Sequence, residues 1–87
     1  MNLNEFRQMS IRYRLGHCDK LPIPGEARVI TGNPRNDAFF HYMLVENGVD
    51  MILKEEQRPV GFGVQWRLTD FKVVDEKKFS WFVLKWS

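Results

Sequence analysis

The chain has one cysteine, Cys18, among 87 residues, so no disulfide can form within it. It lacks long apolar runs. Trp81–Leu84, at four residues, is as long as any, and a membrane helix needs about 20. Met1–Glu5 holds neither a basic nor an apolar segment, so no secretory leader is expected. Together these absences point to a soluble chain of a reducing, cytoplasmic compartment. Charge of one sign is also missing. Thirteen Lys/Arg against eleven Asp/Glu leave a net +2. That excludes strongly acidic nucleic-acid mimics and highly basic chromatin-type proteins. Repeats, low-complexity tracts and long charge runs are absent too.

What the chain has is aromatic rings. Seven Phe, three Trp and two Tyr stand in a chain of 87 residues. A chain of this length forms one domain, residues 1–87, burying roughly 60–65% of its unfolded surface. Glycine and proline divide it into segments. Residues 3–15 carry two patterns. Asn2 or Asn4 can cap a helix, Glu5 suits its first turn and Gly16 its C-terminal end. Leu3, Phe6, Met9 and Tyr13 then share one side. As a strand, Met9, Ile11, Tyr13 and Leu15 alternate with polar residues. The caps and the helix-forming residues favour the helix.

Two close prolines, Pro22 and Pro24, make 17–25 a loop. The remainder reads as antiparallel β. Strands are expected at Ala27–Thr31, Ala38–Glu46, Val49–Glu55, Phe62–Val74 and Phe79–Trp86. Turns are expected at Gly32–Asn36, Asn47-Gly48, Gln57–Gly61 and Asp75–Lys78. Asn47-Gly48 is the strongest hairpin signal, because a type I′ turn needs positive φ at both central residues. The phase of apolar residues changes near Asp70, where a β-bulge is expected. The expected fold is α+β: an N-terminal helix and about five strands in a meander, as a curved sheet or a small SH3-like or Sm-like barrel. An all-β fold with residues 9–15 as a further strand is the alternative.

Rings on a strand alternate between faces. In 38–46, Phe39, Met43 and Val45 oppose Phe40, Tyr42 and Leu44; in 79–86, Phe79, Trp81 and Val83 oppose Phe82, Leu84 and Trp86. A five-stranded sheet of this kind has two apolar faces, and exposed apolar area is unfavourable by roughly 25 cal/mol per Å². Either the sheet closes on itself or a partner covers the second face.

Catalytic and metal-binding patterns are weak. His17, Cys18 and Asp19 are consecutive, whereas structural zinc ligands are spaced. Cys18 beside His17 or His41 is a nucleophile–base pair only if a third group orients it. Glu55-Glu56 and Asp75-Glu76 fall at turns, and Gly61-Phe62-Gly63 lacks the lysine and helix of a phosphate loop, reading instead as a bend. No cofactor or metal is expected. The favoured function is a small non-catalytic protein-binding module, of adaptor, assembly or inhibitor type, acting through an aromatic sheet face or edge. Its partner is another protein or a second copy of the chain. Trp66, Trp81 and Trp86 are the candidate anchors, supported by Phe40 and Phe82, since Trp and Tyr dominate interface hot spots. The alternative is a single-stranded nucleic-acid-binding domain. The first 35 residues hold six Lys/Arg against three Asp/Glu, and Arg7, Arg12, Arg14 and Arg28 would take phosphates while rings stack on bases. On a helix Arg7 and Arg14 lie near one edge and Arg12 well round from them.

Overall fold

The computed structural model describes residues 1–57 and 64–87. The helix α1 spans Leu3–Gly16, capped at Asn2, whose side chain accepts from the Glu5 N–H at 2.8 Å. Phe6, Met9, Ser10 and Tyr13 form its buried stripe. The N-terminal helix is therefore present, and the alternative strand at 9–15 is not. A 3₁₀ turn at Cys18–Lys20 follows.

Only two strands form among the described residues, in place of about five. Neither a meander nor a barrel is present there, and three segments expected as strands differ. Ala27–Thr31 is irregular, and its end is held by Asp37, whose Oδ1 accepts from the Thr31 N–H and Oγ1–H, each at 2.9 Å. The strand expected at Ala38–Glu46 is part of α2, Pro34–Asn47. Asn33 caps it by accepting from the Arg35 and Asn36 N–H groups, and Pro34 occupies its first turn. These caps override the strand preference of its aromatic and β-branched residues. Asn47-Gly48 is not a hairpin turn. Gly48, at φ 64°, is the left-handed residue that ends α2, its N–H donating to the Leu44 carbonyl at 3.1 Å. Of the two positive φ values that turn requires, only that of Gly48 is present, and it stops a helix.

The third corrected segment is Phe79–Trp86, which lies in α3, Glu76–Trp86. The charged stretch Asp75–Lys78 is its first turn, with Asp75 accepting from the Lys78 N–H at 3.1 Å. Phe79, Phe82, Val83 and Trp86 repeat at i, i+3, i+4 and i+7, and all four pack in or against the core.

The strands β1, Val49–Gln57, and β2, Val64–Val73, pair antiparallel from Val49↔Val73 to Gln57↔Val64. Ile52 pairs with Asp70 and Leu53 with Leu68, so Thr69 is an extra residue. This is the bulge expected near Asp70. It moves Phe71 and Val73 onto the face that carries Leu68. Each strand has one apolar and one wet face. Gln57, expected to open a turn, instead closes β1; the rest of that turn, the bend at Gly61-Phe62-Gly63 and the beginning of the strand from Phe62 lie outside the described residues.

The helices pack on the apolar face. Phe6 stacks on Phe71 with ring centroids 4.1 Å apart, and Phe82 meets Phe6 and Tyr13 edge-on at 6.1 Å each. Phe6, Cys18, Met43 and Val49 are fully buried in the same cluster. Most of the ring excess is thus core, contributed by three helices and β2. No described helix is long and apolar enough to cross a membrane.

Gly48 also joins α2 to the sheet. Its carbonyl accepts from the Val74 and Asp75 N–H groups at 2.7 and 3.0 Å. A Cβ there would lie 2.5 Å from the Asp75 carbonyl oxygen. Gly48→Ala should therefore lose about 2–4 kcal/mol, from clash and positive φ together. Gly32, at φ 81°, has open space around it, so Gly32→Ala should lose only about 1 kcal/mol. Urea midpoints at unchanged slope measure both. Equal losses would refute the close approach at Gly48.

Candidate functional site

Burial falls along β2 from Val73 to Val64, so the hairpin leaves the core towards its tip. Between that part of β2 and the helices lies an open cleft of about 640 Å³. Arg7 and Arg14 line it from α1, Thr31, Asn36 and Phe40 from the second helix and its approach, and Val64–Leu68 from β2. Arg7 and Arg14 are seven residues apart, about two turns, and therefore share an edge of α1. Arg7 Nη2 donates to the Leu68 carbonyl at 3.3 Å. Arg14 Nη2 donates to Asn36 Oδ1 at 2.8 Å, and its guanidinium carbon stands 5.0 Å from the centre of the Phe39 ring. Its Nε also faces Asp19 at 3.4 Å. Arg67 pairs with Glu56 at 2.9 Å.

Three arginines line the cleft, and no carboxylate is among its described lining residues. Asp19 and Glu56, just outside the lining, offset part of the charge of Arg14 and Arg67, whereas Arg7 has no carboxylate partner among the described residues. Apolar surface comes from Phe40, Val64, Trp66 and Leu68. The wall at Thr31 is fixed by Asp37. Burial raises the Asp37 pKa, but hydrogen bonds from Thr31 and its neighbours outweigh burial and hold the carboxyl below its ordinary range.

The structure divides the sequence candidates. Phe40 and Trp66 meet Arg7 and Arg14 in the cleft, so members of both candidate sets share one place. Trp81 is 67% exposed on the outer side of α3, away from these residues. Trp86 is half-buried, edge-on to Tyr13 at 5.7 Å. Phe82 is core, 1% exposed, and offers no surface. Arg12 reaches the Trp86 carbonyl at 3.2 Å from the other edge of α1, and Arg28 faces Asp50 at 3.6 Å. Sequence reasoning missed Thr31, Asn36, Val64, Gln65, Arg67 and Leu68. Five consecutive β2 residues in one lining need a free strand edge, and that edge was hidden while β2 was expected inside a larger sheet.

The other polar residues do not converge. His17 Nε2 is 3.7 Å from Glu46, which also accepts from the Tyr13 hydroxyl. His41 is 3.9 Å from Glu26. No group of three or more metal-ligating side chains forms among the described residues. No protein-family model matches the chain, and comparison with curated proteins and with solved structures finds no match.

Cys18 is fully buried, and burial, with Asp19 nearby, pushes its thiol up to about 11. The thiolate is the reactive form, so its fraction at pH 8 is roughly 100-fold below that of an ordinary cysteine. Ellman's reagent should therefore react with Cys18 in native buffer only as fast as the chain opens, and promptly in denaturant. Stoichiometric labelling within minutes in native buffer at pH 8 would contradict this burial.

Proposed function

We propose that the chain is a small non-catalytic protein-binding module of adaptor, assembly or inhibitor type, and that the cleft is its binding site. One observation carries this reading: Trp66 and Phe40 stand in the same open cleft as Arg7 and Arg14. Trp and Arg are the residue types that most often dominate interface energetics. The volume, about 640 Å³, lies within the roughly 300–1,000 Å³ of ordinary ligand sites. Arg14 is held by Asn36 and Phe39, so little of its freedom remains to be lost on binding. The chemistry of the cleft suits an anionic partner with apolar side chains.

A second reading rests on the same arginines. Single-stranded nucleic acid could stack a base on Trp66 and place phosphates by Arg7, Arg14 and Arg67. Its affinity would fall steeply with salt.

Capture from native lysate, with and without nuclease, separates the two. Arg7→Ala/Arg14→Ala and Trp66→Ala should each lower retention of a captured protein at least tenfold, with nuclease having no effect. Arg12→Ala and Arg28→Ala, outside the cleft, should leave retention unchanged. Loss of all captured material on nuclease treatment would favour the nucleic-acid reading. Equal retention by every variant would remove the cleft from either.

A further inference from the structure

We infer that the cleft receives an extended acidic segment of a partner protein, which adds as a third strand to the free edge of β2. This deepens the protein-binding reading above and rests on it.

The first support is the lining. Val64–Leu68 are five consecutive residues, and all of them face the cleft. A sheet face would contribute alternate residues only, because successive side chains point to opposite sides. A run of consecutive residues means that the cleft follows the edge of the strand. The described sheet has two strands, so β2 is paired on one side only.

The direction of the backbone groups gives the second support. The Val74 N–H donates to the Gly48 carbonyl. In an antiparallel ladder the residues that exchange hydrogen bonds alternate with residues that do not. Counting from Gly48, the even-numbered residues of β1 point into the ladder and the odd-numbered ones away. Leu53, Glu55 and Gln57 are opposed by Leu68, Trp66 and Val64. Those three β2 residues therefore direct their N–H and C=O groups outward. An independent contact agrees, since Arg7 on α1 donates to the Leu68 carbonyl from outside the sheet; that acceptor is taken, and an added strand would meet the Leu68 and Trp66 N–H groups and the Trp66 and Val64 carbonyls.

These groups alternate donor and acceptor along the cleft. A peptide backbone matches that alternation, whereas a phosphodiester has acceptors only and would set oxygens against the outward carbonyls. This favours a polypeptide over nucleic acid. The side-chain preference follows from charge. Arg7 has no carboxylate partner among the described residues, Arg14 and Arg67 keep one each outside the lining, and the lining itself holds no described carboxylate; guanidinium binds carboxylate as a planar fork. Arg7 and Arg14 are about 10 Å apart along α1 at 1.5 Å per residue. Acidic residues two to four apart on a strand, spanning roughly 7–13 Å, cover that distance. Trp66 and Phe40 receive the apolar residues between them. Strand addition of this kind takes affinity from the main chain and specificity from alternate side chains.

A random dodecapeptide display library, selected on the full chain, tests the inference. Enriched peptides should carry two or more Asp or Glu spaced two to four apart among apolar residues, without proline at their centre. They should bind Arg7→Ala/Arg14→Ala at least tenfold more weakly, and Arg7→Lys/Arg14→Lys should recover only part of the loss. Matching thermal midpoints would establish that these variants fold. On binding, the Trp66 and Leu68 amides should exchange with solvent at least tenfold more slowly. N-methylation of alternate peptide amides should weaken binding by a similar factor. Peptides that bind through the arginines while both amides exchange unchanged would overturn strand addition and leave the protein-binding reading standing. Basic enriched peptides would overturn the acidic preference. Failure to enrich any cleft-dependent peptide, with a 15-nucleotide oligothymidine bound through Arg7 and Arg14, would overturn both readings.

Discussion

The stack of Phe6 on Phe71 is the contact on which the architecture depends. A two-stranded hairpin is marginal in water by itself, and helices of 11–14 residues are marginal too. Each element needs the apolar surface of another. At 4.1 Å the Phe6 and Phe71 rings join the first helix to the sheet, and Phe79 and Phe82 bring α3 onto both, with centroid separations of 6.1–6.5 Å. Aromatic pairs contribute about 0.5–1.5 kcal/mol each beyond the area they bury. The extra residue at Thr69 makes this possible. Without it Phe71 would face solvent, and Phe6 would lose its stacking partner on the sheet.

The cleft is a consequence of where that contact sits. Phe71 lies near the base of the hairpin and Trp66 five residues towards its tip. The helices are held at the base, and β2 diverges from them beyond Leu68. Arg7 is one residue after Phe6 and is thereby carried to the point of divergence, where it reaches the Leu68 carbonyl. Arg14 follows two turns later on the same edge. Core and cleft are thus two sides of one placement: the stripe that includes Phe6 and Tyr13 is buried, and the edge beside it lines the opening.

The first helix was legible because its caps and its apolar spacing agreed. The bulge was legible as a break in alternation near Asp70. The second and third helices were not, for physical reasons particular to each. Asn33-Pro34 and Asn47-Gly48 are signals shared by turns and by helix ends, and aromatic residues between them tip a local reading towards strand. Only packing decides, with Ala38, Phe39 and Met43 turned inward together. In α3 the spacing of Phe79, Phe82, Val83 and Trp86 was helical throughout, but Phe, Trp and Val are also the residues that strands prefer. The cleft mixed legible and hidden parts. Arg7 and Arg14 share an edge by helical geometry alone, whereas Thr31 and Asn36 join them only through the tertiary fold.

Reassigning two ring-rich segments from strands to helices changes what the aromatic excess means. On a sheet the rings would have faced both ways and needed an outside cover. On helices they turn inward at one stripe, and Phe6, Tyr13 and Phe82 cover one another. Among the described rings the two that stay exposed are Trp81 on the outside of α3, where Leu84 is exposed as well, and Trp66 beside guanidiniums at the strand edge. These two differ in what they offer. Trp81 lines a smaller opening, of about 170 Å³, together with Glu46, Lys78 and Lys85. Trp66 presents a ring within a walled opening that also holds fixed positive charge and an outward-facing backbone. Recognition needs several kinds of complementarity at one place, since area alone does not set affinity. The strand edge supplies shape, charge and hydrogen-bonding direction together, and it does so because the bulge sets Phe71 against Phe6, the residue next to Arg7.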